Sequence, residues 1–236
     1  MSIKAVLFDL DGTLLPLDQD LFVQTYLKKL CAKLAHHGYE PERLAKSIWA
    51  ATHAMVQNDG SVTNEQRFWD VFPKAYGADV RKDEALFDEY YRKDFGAVRS
   101  VCGFTEDASK LVRRLRSMGI TVILATNPLF PAVATNQRIK WAGLTPEDFA
   151  LVTTFENASY CKPNLKYYEA ILTQFGLDPK DCLMVGNDVS DDMPARELGM
   201  QVFLLTDCLI NLNSTDISVY PHGSFAELNT YIDINL

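Results

Sequence analysis

The chain is poor in cysteine and histidine and has no long hydrophobic run. Its five cysteines (Cys31, Cys102, Cys161, Cys182 and Cys208) are odd in number and include no Cys-x-x-Cys pair, which excludes a disulfide framework or a cysteine-based zinc site. They are expected as small buried apolar groups. Cys161 stands apart only because Lys162 follows it, and a nearby ammonium favours thiolate; an inert thiol is still the expectation. His36, His37 and His53 have no evident partner, so a surface or core role is expected of them. No apolar stretch is long enough to span a bilayer, and no basic segment leads into an apolar signal region. A cytoplasmic protein without a membrane partner is therefore expected. Positive charge is also in deficit: the formal net charge is −8, which argues against nucleic acid or an anionic membrane as main partner. A small phosphorylated molecule stays open, because one local cation can reverse the field inside a single cleft. Internal repeats and low-complexity segments are absent.

What is present is a chain of 236 residues, 47% hydrophobic, enough for one large domain or a core with a smaller lobe. Two textures follow each other. From about residue 18 to 95 the periodicity is helical throughout. Leu21, Phe22, Tyr26, Leu30 and Leu34 mark a first helix closed by His37-Gly38, and Leu44, Ile48, Ala51 and Met55 mark a second. Asn58-Asp59-Gly60-Ser61 is a turn, after which Thr63 and Gln66 have the spacing of a capping box opening a third helix. A fourth covers roughly 83–95, and the set suggests a small helical bundle with its own core. From Phe104 onward amphipathic helices ending at Gly119, Gly143, Gly176 and Gly199 alternate with apolar strands near 120–125, 150–153, 182–185 and 201–205. Continuous apolar strands between such helices predict a parallel sheet covered on both faces: an α/β fold, Rossmann-like, in three layers α/β/α. A first strand at 4–8 belongs to that sheet, so the helical bundle is an insertion after it. Residues 211–220 are expected as a long surface connection before a final helix near 225–232.

The strand at 4–8 ends in Asp9-Leu10-Asp11-Gly12-Thr13. Alternate side chains of a strand share a face, so both carboxylates can aim at one spot beyond its end. Such a pair suits phosphate transfer: one carboxylate holds a divalent cation and acts as nucleophile while the other handles protons. In open parallel sheets ligands bind beyond the carboxyl ends of the strands. There the later strands deliver Thr126-Asn127-Pro128, then Lys162-Pro163, then Gly186-Asn187-Asp188-Val189-Ser190-Asp191-Asp192. Each cluster alone is weak, but their joint placement at one sheet edge is not.

In chain order these four clusters resemble the signature motifs of the haloacid dehalogenase-like (HAD) hydrolases, most of which are magnesium-dependent phosphatases. The helical insertion resembles that family's helical cap, giving a core of residues 1–16 plus 99–236 and a cap of 17–98. The resemblance implies that Asp9 forms an aspartyl-phosphate and that Asp11 protonates the leaving oxygen and later activates water. It assigns phosphoryl binding to Thr126, Asn127 and Lys162. It also implies a Mg²⁺ site from Asp9, the backbone carbonyl of Asp11 and the acidic cluster. One departure is plain: Asn187 stands where the family usually has an aspartate. Either its amide oxygen coordinates or the turn presents Asp188; ligand chemistry favours Asp188 as direct ligand, with Asp192 behind it. The expected activity is Mg-dependent hydrolysis of a small phosphorylated metabolite. A phosphomutase and a silent phosphate or partner binder are the alternatives. A phosphonate-cleaving enzyme would need a Schiff-base lysine, for which Lys28, Lys29, Lys33 and Lys46 are available, and a metal-free dehalogenase has little use for Asp11 or Lys162. The aromatics Trp49, Phe68, Trp69 and Tyr90 are expected in the bundle core more than in a pocket.

Overall fold

The computed structural model describes residues 3–77 and 79–235. Its centre is a six-stranded, all-parallel sheet in the order β3-β2-β1-β4-β5-β6. The strands are β1 (Ala5–Phe8), β2 (Thr121–Leu124), β3 (Leu151–Val152), β4 (Cys182–Gly186), β5 (Gln201–Leu205) and β6 (His222–Gly223). β1 is buried at every position, as a central parallel strand must be when both faces are covered. Its alternation divides the interior: Val6 and Phe8 join one apolar cluster, Ala5 and Leu7 the other. The first face is covered by α5 (Glu106–Ser117), α6 (Ala132–Trp141) and α8 (Phe225–Asn235). The second is covered by α7 (Leu165–Phe175) and the 3₁₀ turn Met193–Leu198. The three-layer α/β/α arrangement expected from the sequence is present.

Between β1 and β2 run α1 (Gln19–Ala35), α2 (Pro41–Val56), α3 (Asn64–Tyr76) and α4 (Glu84–Lys93), with 3₁₀ turns Val80–Asp83 and Phe95–Val101. Their starts are chemically specified. Asp18 accepts from the Leu21 amide at 2.8 Å, and Thr63 and Gln66 form the reciprocal capping box. The apolar residues of these helices do not form a separate core. Phe22, Tyr26, Leu44 and Phe72 belong to the same contiguous cluster as Phe8, Leu124 and Val185 of the sheet.

The first turn of α3 fixes the insertion to the sheet's carboxyl edge. Its Asn64 and Glu65 amides, which have no partner inside the helix, donate to the carbonyls of Ala158 and Phe155, each at 2.8 Å. The two-residue strand β6 was not foreseen, because His222-Gly223 carries no apolar run. Among the described residues no helix is long and apolar enough to cross a membrane.

Candidate active site

Register places the site. Phe8 lies beside Leu124 on one side and Val185 on the other, so β1, β2 and β4 end level and the chain leaves all three at one edge. Asp9 follows β1, with its amide bonded to the Val185 carbonyl at 2.9 Å. Its carboxylate accepts from Lys162 Nζ at 2.8 Å, and the same ammonium donates to Asp192 at 2.6 Å. Lys162 and Asp192 side chains are each 1% exposed. Burial alone would lower the Lys162 pKa, but Asp192 and Asp9 outweigh it and hold the ammonium well above its ordinary value. Burial pushes the Asp192 carboxyl up, against the pull of Lys162. With both carboxylates ionised, the single ammonium leaves negative charge in excess.

Asp11 is turned to a different cation. The chain leaves the strand in a tight turn, with the Gly12 amide bonded to the Leu15 carbonyl at 2.8 Å, so strand alternation does not govern Asp11. Its Oδ2 accepts from Arg138 on α6, while Oδ1 is buried without a partner. Burial raises this carboxyl to about 6, against Arg138 and with Asp9 adding to the rise. Arg138 is 1% exposed, bonds Thr135 and lies over the Phe130 ring at 4.5 Å. The sequence reading did not single it out. The available signal was an arginine four residues after Ala134, on the buried face of α6.

Thr126 is held by its backbone: its carbonyl accepts from Thr153 Oγ1 at 2.6 Å and from the Tyr167 hydroxyl at 2.9 Å. Thr153, just after β3, and Tyr167 of α7 thus support the Thr126 loop. Asn127 donates to Asp191 at 3.0 Å, and its own Oδ1 is buried without a partner. Asn187 is engaged on both sides of its amide, accepting from the Thr13 hydroxyl at 3.0 Å and donating to the Cys208 carbonyl at 2.7 Å. It packs so closely on Gly12 (φ 81°) that a Cβ there would lie 2.2 Å from Asn187 Nδ2. Asp188 caps its own turn, accepting from the Ser190 and Asp191 amides; it meets Asp192 of the Lys162 cluster through its backbone, its amide donating to Asp192 Oδ2 at 3.0 Å and its carbonyl accepting from the Asp192 amide at 2.9 Å.

Among the described residues no three His, Cys, Asp or Glu side chains already converge as a metal cage. Mg²⁺ does not require one, since it is usually held by one or two carboxylates together with waters and substrate phosphate. The excess negative charge around Lys162 suits a cation, so the residues present are compatible with Mg²⁺.

Cys161 is buried, bonded by Asn64 Nδ2 at 3.3 Å, and its thiol is pushed up to about 12 chiefly by burial. Neighbouring Lys162 turns away to Asp9, so the thiol is neutral, as expected. Tyr90 and Trp69 are buried in the apolar core and Phe68 packs against it, as expected, while Trp49 is exposed; Trp49, Phe68 and Trp69 also line a cavity of about 260 Å³. None of Lys28, Lys29, Lys33 or Lys46 lines it.

A family model described as haloacid dehalogenase-like hydrolase matches residues 3–199. Among curated relatives, a pyrophosphatase PpaX of Bacillus cereus is 24% identical over 199 residues, covering 84% of this chain and 81% of the relative. A phosphoglycolate phosphatase of Neisseria gonorrhoeae is 25% identical over 204 residues, covering 84% and 77%. Among solved structures, an HAD phosphatase from Thermococcus onnurineus superposes with a TM-score of 0.60 at 22% identity, covering 98% of each chain; it shows likeness of fold.

Proposed function

The chain belongs to the haloacid dehalogenase-like hydrolases, and from that premise we propose that it is a phosphatase of a small phosphorylated metabolite, with Asp9 as nucleophile. The observation that carries this reading is the buried contact of Lys162 with Asp9. A phosphate monoester is anionic and repels a carboxylate, so attack needs fixed positive charge at the meeting point. Lys162 is already there and held protonated by its two carboxylates.

In the first step an Asp9 oxygen forms a bond to phosphorus while the bond to the leaving oxygen breaks. The Asp11 carboxyl gives that oxygen its proton. A neutral Asp11 is needed at this moment, and burial raises its pKa in that direction. In the second step Asp11, now a carboxylate, takes a proton from water as the water oxygen attacks phosphorus. The bond to Asp9 breaks and inorganic phosphate leaves. Thr126 and Asn127 donate to the phosphoryl oxygens, Asn127 through the Nδ2 hydrogen that Asp191 does not take. Asp9, the backbone carbonyl of Asp11 and Asp188 would hold Mg²⁺, which when bound offsets phosphoryl charge. Asn187 has both sides of its amide engaged, whereas the Ser190 and Asp191 amides take only Oδ1 of Asp188 and leave Oδ2 for a cation, which favours Asp188 as the direct ligand. Residues 17–98 form the cap in this reading, on a core of 1–16 plus 99–236.

The test is phosphate release from a panel of sugar, nucleotide and small-acid phosphates, with Mg²⁺ and with EDTA, beside Asp9→Asn. Metal-dependent release that drops by at least about a thousandfold in the variant is expected. Release that survives Asp9→Asn would sink the assignment.

A further inference from the structure

The cavity of about 260 Å³ lies between the helical insertion and the loop that follows Thr126-Asn127-Pro128. Its near wall is Leu129-Phe130-Pro131. Leu129 is three residues from Thr126, so the chain separates the two by at most about 11 Å. Phe130 lines the cavity and also lies under the Arg138 guanidinium that grips Asp11. Phe130 thus stands between the cavity and the guanidinium that holds Asp11. The far walls are aromatic: Trp49, Phe68, Trp69 and Phe87. Trp49 is 53% exposed, so its indole is available to a ligand in the cavity. A cavity of about 150 Å³ suffices for benzene, so this one has room for a ring bearing a short chain.

The charge of the lining is one-sided. Its ionisable members are Glu65, Glu84, Asp88 and Glu156, together with the tyrosines Tyr26 and Tyr91, and no lysine, arginine or histidine is among them. Three of the acids are already engaged. Glu84 meets Arg81 at 3.5 Å, Asp88 meets Arg92 at 3.0 Å, and Glu156 accepts from the Ala132 amide at 2.8 Å. Glu65 is different: burial first, then Glu156 and Glu84, push its carboxyl upward, and Arg81 offsets this only in part. A carboxylate or second phosphate entering here would meet acids in the walls; the cations nearby, Arg81 over Trp69 at 5.2 Å and Arg138 over Phe130 at 4.5 Å, do not themselves line the cavity. An ammonium would meet Glu65 together with aromatic faces, which attract cations.

Resting on the phosphatase reading, we propose that the substrate is a phosphate monoester of an apolar, ring-sized alcohol carrying an ammonium group, seated against Glu65 and the aromatic walls. An anionic leaving group is disfavoured by the same walls.

The test compares three aryl phosphates of similar leaving-group chemistry, with the full chain and Mg²⁺. These are tyramine O-phosphate (cationic), p-cresyl phosphate (neutral) and the phosphate of 3-(4-hydroxyphenyl)propionate (anionic), beside phosphoglycolate and pyrophosphate. The expected order of kcat/KM is cationic, neutral, anionic, with at least about a tenfold gap between the first and last, the free-energy equivalent of one modest ion pair. Glu65→Gln should shrink the cationic-to-neutral ratio at least about threefold. Equal rates, a reversed order, or preference for phosphoglycolate or pyrophosphate would overturn the specificity while leaving the phosphatase reading intact. Release from none of the esters would overturn the phosphatase reading instead. The pocket is then judged by quenching of tryptophan fluorescence with the free phenols. Tighter binding of tyramine than of 3-(4-hydroxyphenyl)propionate upholds the proposal, and equal binding ends it.

Discussion

At Arg138 a fully buried guanidinium meets a carboxylate that burial has made reluctant to ionise. Removing one partner of such a pair strands the other, so Arg138→Met should destabilise the fold by about 3 kcal/mol in urea unfolding. The same substitution should act on the pH profile. With the Asp11 pKa near 6, the protonated form needed for the first step declines as pH rises past that value, so kcat/KM should fall on the alkaline side. Arg138 pulls the Asp11 pKa down; without it the descending limb should move to higher pH. A limb that stays in place would show that another group sets it. Gly186 permits a different prediction at this scale. A Cβ there would lie 2.0 Å from Asp192 Oδ2, so Gly186→Ala should displace Asp192 from Lys162 and cut turnover by at least about tenfold, read in the phosphate-release assay.

At the scale of the element, the first turn of α3 joins the insertion to the catalytic edge. Asn64 is fully buried, and its side chain donates to the Pro128 carbonyl and to Cys161 Sγ while accepting from Asn58. Asn64→Ala leaves the Pro128 carbonyl and the Asn58 amide short of a partner, each a loss of about 1–3 kcal/mol. A lower Tm together with a raised KM is expected, because Pro128 follows directly on Asn127. A lowered Tm with unchanged KM would show that this contact supports the fold and not the site. Thr63→Ala, which removes only the cap, should cost about 1 kcal/mol. The capping box was legible in the sequence because its chemistry spans four consecutive residues. The docking of that turn onto Phe155 and Ala158 was not, since nothing local in Thr63-Asn64-Glu65-Gln66 says which distant carbonyls will take its amides.

At the scale of the whole molecule, one contiguous apolar cluster runs from the sheet into the inserted helices. Calorimetry should therefore show a single cooperative transition; two separated transitions would show that insertion and core unfold independently. The amino-acid sequence alone determined the parallel α/β fold and the place of the helices after β1, and it singled out Asp9, Thr126, Lys162 and Asp192 as candidate site residues. Those depend on period and on position just past a strand end, which are properties of a short stretch of chain. Only the tertiary structure decided that Arg138 holds Asp11, that Thr153 and Tyr167 support the Thr126 carbonyl, and that Trp49, Phe68 and Trp69 wall a cavity with acids and no cation. The physical reason is sequence separation. Asp11 and Arg138 stand 127 positions apart, and an amphipathic helix has the same pattern whether its aromatic face fills a core or is left to receive a ligand.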